Sequence, residues 1–331
     1  MSVEHATQFK LTYLENGCKR LTDGAGRQLL LVPKGVAVDR ENEDSLIIEI
    51  PVKRAIMCST PLASLLRVLG ETDSIVGVSQ PETHWFIDEI VMGMDEGRIA
   101  YLGEIHMDYE KMMTLDPEIV FIGSYAAGAK LDVTGLPVAF YSGYLEKDPL
   151  GQLEWIKFVA AFYNKEQVAQ AYIDRIKHKL DTIRRKTATA RTVPKVLWAY
   201  VYDGTTSAAG GDSYVCRMIS MAGGDFVFKN LKVTGNMPIT FETLYAKGKA
   251  ADVFIVPSTP NFGITSIRAI TSQHNTLAEF KAVRVGALWC FQPWWWQALD
   301  RTDEIVADLA AIFHPELFPG HVLKHFLKLP P

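Results

Sequence analysis

Residues 165–186, KEQVAQAYIDRIKHKLDTIRRK, decide how the rest of the chain is to be read. Val168, Tyr172, Ile176, Leu180 and Ile183 recur at helical spacing, and Lys, Arg, Asp and Gln fill most positions between them. The run therefore predicts a helix with one narrow apolar stripe and a mostly wet surface. Asn164 in front, with Gln167 three residues on, has capping-box spacing and predicts the N-cap. At 1.5 Å per residue the run spans roughly 33 Å, about the width of a small domain, enough to tie two lobes together.

The flanks support that division. A chain of 331 residues is long for one core and suits two domains of about 150 residues each. With 48% hydrophobic and 22% charged residues, the composition is that of a folded globular protein. The formal charge of −4, with no Lys/Arg run interleaved with aromatics, argues against a nucleic-acid partner. No stretch of about 20 apolar residues occurs, and the opening MSVEHATQFK lacks the charged-then-apolar plan of a signal peptide. Cys18, Cys58, Cys216 and Cys290 stand singly, without a CxxC pair, and are expected to be free buried thiols.

Before the linker, Arg54–Ser59, Ser74–Ser79, Ile99–Leu102, Ile119–Gly123 and Pro137–Tyr141 read as strands, with helices at Pro61–Gly70, Trp85–Gly93 and Asp108–Leu115. After it, strands are expected at Lys195–Tyr202, Val253–Pro257 and Val283–Cys290, and helices at Ser213–Ala222, Phe241–Lys247 and Trp296–Phe313. Such alternation predicts an α/β fold of two lobes, each with a mainly parallel central sheet flanked by helices. The expected layout is an N-terminal lobe 1–164, a linker helix 165–189 and a C-terminal lobe 190–331. Phe9–Val32, with turns at Asn16-Gly17 and Asp23-Gly24, predicts a leading hairpin added at a sheet edge.

In parallel sheets, ligands gather beyond the carboxyl ends of strands. Two helix starts there could receive an anion: Ser59-Thr60-Pro61, and Gly210-Gly211-Asp212-Ser213-Tyr214. Ser, Thr and Asp are equally good helix caps, so both readings stand. Aromatics at expected loop and helix edges, among them Trp85, Tyr125, Tyr202, Tyr214 and Trp294, suit a flat, partly apolar ligand. The eight histidines form no HxH or HExxH pair, so no metal site, and likewise no cofactor, is expected from spacing. GxSxG, P-loop and GxGxxG motifs are absent, which gives no positive sign of an enzyme.

Several longer motifs, taken together in order and spacing, carry a resemblance. They are PVKRAIMCSTPLASLLRVLGETDSIVGVS (51–79), DYEKMMTLDPEIVFIGS (108–124), GGDSYVCRMISMAGGDFVF (210–228), ITFETLYAKGKAADVFIVPS (239–258) and the closing stretch 283–319. The chain resembles the periplasmic substrate-binding proteins of ABC importers for ferric siderophores, haem and cobalamin. That resemblance implies two α/β lobes on one rigid helix with a shallow cleft between them. It implies ligand positions at Ser59, Thr60, Glu82, His84, Trp85, His106, Ser124, Tyr125, Asn236 and Met237. Glu89 and Glu242 match the acidic lobe-tip residues that pair with permease arginines. Hydrogen bonds from Ser213 and Tyr214, aromatic contact from Tyr202 and Trp294, and Arg268 as partner of a ligand carboxylate complete the expected site.

The expected function is capture of an iron chelate or related metal complex and its delivery, by a monomer, to an ABC permease. The expected place is the periplasm or the cell surface as a lipoprotein, with the export segment absent from this sequence. Three alternatives stay open: an oxyanion binder of the molybdate kind held by the paired helix starts, a two-domain α/β transferase, and an intracellular sensor presenting a partner surface.

Overall fold

The computed structural model describes residues 2–38, 45–104, 106–123, 131 and 134–331. It divides into two compact units, neither of them one continuous stretch. The first comprises Met1–Gly143, Leu150–Asp174 and Trp296–Asp300; the second comprises Tyr144–Pro149, Arg175–Trp295 and Arg301–Pro331.

The first unit opens with β1 (Lys10–Tyr13), β2 (Lys19–Thr22), β3 (Gln28–Pro33) and β4 (Leu46–Ile50). They form a sheet of their own, antiparallel except for the parallel pair β3–β4. The expected hairpin edge is therefore a separate sheet. Asp23 explains how it docks: its buried carboxylate accepts the turn N–H groups of Ala25 and Arg27 and that of Phe140, at 2.9–3.0 Å. The central sheet of this unit holds β5 (Ala55–Cys58), β6 (Ile75–Val78), β7 (Ala100–Tyr101), β8 (Ile119–Ile122) and β9 (Val138–Phe140). Its order is β7-β6-β5-β8-β9, parallel throughout. β8 and β9 are wholly buried, as strands covered on both faces must be.

The helices of this part are α1 (Thr60–Leu69), α2 (Asp88–Asp95), α3 (Tyr109–Thr114), α4 (Pro149–Tyr163) and α5 (Glu166–Thr187). α2 starts at Asp88, three residues later than expected, because Trp85 has extended backbone and closes a short 3-10 turn. α4 was not expected at all. Its residues are buried nearly all round, so it shows no stripe. Trp155, Phe158 and Phe162 pack with Phe9, Phe121 and Tyr141 at ring distances of 4.8–6.5 Å. Each such side chain stabilises the fold by about 1.5–3 kcal/mol. In the same helix Glu154 and Lys157 are both fully buried and paired at 2.7 Å. Glu154 also accepts the backbone N–H groups of Glu4, His5 and Ala6, and Lys157 donates to the Ser2 carbonyl. The ion pair thereby holds the N-terminal segment.

α5 is the long helix the opening stretch predicted, and the boundary between the two units falls inside it. Its expected N-cap is corrected. Asn164 has φ of 56°, a left-handed conformation that ends a helix and cannot cap the next one. Its side chain accepts from Lys19, which also pairs with Glu166.

The second unit holds β10 (Lys195–Tyr202), β11 (Thr205–Ala209), β12 (Asp225–Phe226), β13 (Asn236–Pro238), β14 (Val253–Val256), β15 (Leu288–Phe291) and β16 (Phe326–Lys328). The order is β13-β11-β10-β14-β15-β16, with β12 on β10. β12, β10, β14 and β15 are parallel, while β11, β13 and β16 join antiparallel. Its helices are α6 (Tyr214–Met221), α7 (Phe241–Gly248), α8 (Ile267–Thr271), α9 (Lys281–Arg284) and α10 (Thr302–Phe313). Two expectations are trimmed here. The strand expected from Val283 begins at Leu288, because Lys281–Arg284 is helical and Gly286 turns at positive φ. The helix expected from Trp296 begins at Thr302, after two 3-10 turns.

α10 carries Asp308, fully buried, whose carboxylate accepts the backbone N–H groups of Lys324 and His325 and the ring of His321 at 2.6–2.8 Å. It holds the C-terminal segment. Among the described residues, no helix is long and apolar enough to cross a membrane.

Candidate functional site

In the first unit the parallel register brings the carboxyl ends of β5, β8 and β9 side by side. β5 runs into α1 through Ser59 and Thr60, with Pro61 in the first helical turn. Ser59 has the extended backbone of an N-cap, but its hydroxyl makes no cap bond. A Cβ placed on Gly123 would lie 3.7 Å from both Ser59 Oγ and the Tyr141 ring, so these three residues converge. Cys58 lies one residue back. Burial pushes its thiol up to about 12, against an opposing hydrogen bond from Ser79.

β6 feeds the loop bearing Glu82, His84 and Trp85. Glu82 and His84 are exposed, whereas Trp85 is 4% exposed and its indole N–H donates to the Gln80 carbonyl at 3.1 Å. Trp85 packs into the unit. The loop is held by a residue sequence reading missed. Gln297 donates to the His84 carbonyl at 2.6 Å and accepts from the Phe86 N–H at 2.8 Å. His84 Nδ1 lies 3.9 Å from the Glu104 carboxylate in the loop after β7, where His106 is also exposed. The structure thus places His84, Glu104 and His106 on two neighbouring strand-end loops. Ser124 and Tyr125 lie outside the described residues.

In the second unit the glycine-led start of α6 is already occupied by the chain itself. Cβ atoms on Gly210 and Gly211 would stand 1.9 and 2.2 Å from the carbonyls of Val233 and Lys229. The N–H groups of Gly210, Gly211 and Asp212 donate to Gly235, Leu231 and Val233. Ser213 is 1% exposed. Its hydroxyl donates to the Gly210 carbonyl at 2.6 Å and accepts from Cys216 N–H. It caps α6. Tyr214 is half-buried, with its N–H on the Glu146 carbonyl.

Because β10, β14 and β15 are parallel neighbours, the segments leaving their carboxyl ends emerge at one end of the sheet. They carry Tyr202, 40% exposed and 6.0 Å from the Tyr200 ring, and the half-buried Trp294. They also carry Phe262, 57% exposed in the turn Pro260–Phe262, a residue not singled out from sequence. Its signal was a proline and a glycine bracketing one aromatic, Pro260 and Gly263. Trp295, by contrast, stacks on Phe291 at 3.8 Å and belongs to the core. Asn236 is exposed and Met237 half-buried on β13, and Arg268 is exposed on α8.

Glu89 and Glu242 occupy matching positions: each is exposed in the first turn of a helix, α2 and α7 respectively. Backbone and Thr240 hydroxyl hydrogen bonds, with the nearby charge of His274, hold the Glu242 carboxyl below its ordinary range. His274 stacks flat on Phe241 at 3.5 Å. Among the described residues no group of three or more His, Cys, Asp or Glu side chains is placed to hold a metal ion.

Solved structures with the same arrangement of elements are binding proteins. The periplasmic haem-binding protein RhuT from Roseiflexus sp. RS-1 superposes with a TM-score of 0.61 at 17% identity, covering 80% of this chain and 99% of its own. CeuE of Helicobacter pylori, solved as a nickel–histidine complex, gives 0.65 at 18% identity, covering 92% and 90%. An uncharacterised lipoprotein of Methanocaldococcus jannaschii is 31% identical over 327 residues, 94% of this chain and 78% of its own. The periplasmic binding protein family model matches residues 58–288, and the chain belongs to that family.

Proposed function

We propose that the chain is the extracytoplasmic solute-binding component of an ABC importer. It takes a metal chelate of the ferric-siderophore, haem or cobalamin kind and hands it, as a monomer, to a membrane permease. The observation that carries this reading is the family match across residues 58–288. The neighbours RhuT and CeuE, which bind haem and nickel–histidine, support a metal complex as cargo. The lipoprotein relative supports a place outside the cytoplasm.

In the second unit, Tyr202, Phe262 and Trp294 would lie against the flat or apolar part of such a ligand. In the first, Ser59, Thr60, Glu82, His84 and His106 would supply polar contacts. Glu89 and Glu242 would meet arginines of the permease through charge-assisted hydrogen bonds. The oxyanion alternative needs two open helix starts, and the start of α6 is filled by residues 229–235.

The test is a thermal-shift screen against ferric siderophores, haem, cobalamin, oxyanions and free metal ions. A chelate present at about 100 times its Kd stabilises the folded state by about 2.7 kcal/mol, a shift of several degrees. Glu242→Arg should leave that shift intact and abolish transport by a reconstituted importer. No shift with any chelate, or shifts with oxyanions alone, would overturn the reading.

A further inference from the structure

A cavity of about 450 Å³ opens in the second unit between α6, the segment after β12 and the crossing segment Tyr144–Pro149. Its volume is within the range of small-molecule sites, roughly 300–1,000 Å³. Asp225, on its wall, pairs in register with Lys195 at the amino end of β10. The cavity is therefore at the opposite end of that strand from Tyr202.

The charge around it runs against that of the chain, which is −4 overall. Four cations line it, Lys147, Arg217, Lys229 and Lys232, against two carboxylates. Those carboxylates are engaged: Asp225 pairs with Lys229 at 2.5 Å, and Asp212 pairs with Lys232 at 3.6 Å. Among the described residues, the side chains of Lys147 and Arg217 have no hydrogen-bond or ion-pair partner. They come from different segments of the chain and face one cavity.

α6 adds Ser220 and the half-buried thiol of Cys216 to the same wall. Burial, with the charges of Asp212 and Asp225, holds that thiol above its ordinary value, and the charges of Arg217 and Lys229 oppose it. A guanidinium fork with ammonium groups around it matches the oxygens and negative charge of a phosphate group. An apolar or cationic ligand would leave Lys147 and Arg217 unmatched.

We propose that this cavity is a second ligand site, separate from the chelate site, which takes a phosphate-bearing anion. That chemistry is shared by soluble pyrophosphate and by the headgroup of an acidic phospholipid, and the experiment separates the two. In the full chain, alkylation of Cys216 by iodoacetamide is followed by mass spectrometry with pyrophosphate, and separately with phosphatidylglycerol or phosphatidylcholine vesicles.

At low salt, one anionic probe should slow Cys216 labelling at least five-fold. The effect should fall away near 0.5 M salt, where screening is strong. Lys147→Ala with Arg217→Ala should abolish it, and Lys147→Arg with Arg217→Lys should largely restore it. Protection by pyrophosphate identifies a soluble ligand. Protection by phosphatidylglycerol but not phosphatidylcholine vesicles, with co-sedimentation lost in the double alanine variant, identifies the lipid. Unchanged labelling with every probe, or protection that survives in the double alanine variant, would overturn the proposal. Neither result bears on chelate binding, because the thermal-shift screen reads that site independently.

Discussion

The two units fix the two ends of the chain by the same device built from different chemistry. In the first, Glu154 on α4 holds the N–H groups of residues 4–6 and is neutralised by Lys157, both fully buried. In the second, Asp308 on α10 holds the N–H groups of Lys324 and His325, and its ring partner is His321. Beside the second clamp the buried ring of His325 meets Glu304, and burial pushes its pKa down. The C-terminal clamp therefore lies beside a buried imidazole that resists protonation in the folded state, and the N-terminal clamp is a buried ion pair.

The most severe way to break the first clamp is Lys157→Met, which leaves a buried carboxylate without its counter-charge. Removing one partner of a buried pair costs about 3–5 kcal/mol. Urea unfolding should show that loss, and hydrogen exchange should rise first in residues 2–6 and 150–163. Asp308→Asn preserves shape while weakening hydrogen bonds that depend on a charged acceptor. A loss of about 2–3 kcal/mol is expected, with faster exchange at 321–326 and none at the N-terminal segment. Equal loosening of both segments would erase the contrast.

Acidification sharpens the comparison without mutation. Burial pushes the His325 pKa down, against the opposing pull of its Glu304 hydrogen bond and of the Asp308 and Glu304 charges. The unfolded chain therefore takes up a proton near pH 6.5 that the folded one resists. Stability from this group is complete above about pH 6.5 and declines as the pH falls below it, by at most about 1.4 kcal/mol per pH unit. In the first unit, hydrogen bonds from Lys157 and the N-terminal backbone outweigh burial and keep the Glu154 carboxyl below its ordinary value. That contribution is present at neutral pH and is lost only below about pH 4.5. Between pH 7.5 and 5.5, hydrogen exchange corrected for intrinsic rates should loosen residues 321–326 and leave residues 2–6 unchanged. His325→Gln should remove the response.

The smallest effect belongs to a pair that is neither buried nor at a terminus. Lys281 and Asp252 meet at 2.6 Å with their side chains partly exposed. Lys281→Ala should cost no more than about 1 kcal/mol by denaturant titration, setting the baseline for both clamps.

What was legible in the sequence follows from what each element shows to water. α5 was visible because it has a wet side against which Tyr172, Ile176 and Leu180 stand out as a stripe. α4 was invisible because it has no wet side, and periodicity is a contrast between two faces. β8 and β14 stand out as dense apolar runs and β7 lies inside the expected Ile99–Leu102, while the two- and three-residue strands β12 and β13 approach the limit of any pattern. The candidate site divides along another line. Ser59 and Ser213 occupy like positions before helices, yet only Ser213 spends its hydroxyl on the cap. Nothing in either residue type announces that difference. The Ser213 hydroxyl bonds Gly210 and Cys216, three residues to either side, and Ser59 makes no such cap bond. Trp85 and Phe262 make the same point, since both are aromatics in loops, one buried and the other exposed.

The interrupted make-up of the first unit has a consequence on the ribosome. Arg67 is completed by Asp300, 233 residues downstream, at 2.6 Å, and Gln297 straps the loop around His84. At typical synthesis rates of 5–20 residues per second, those partners emerge roughly 12–47 s after Arg67. Until then Arg67 and the loop around His84 lack those partners. A gene fragment ending after the long helix would lack both partners.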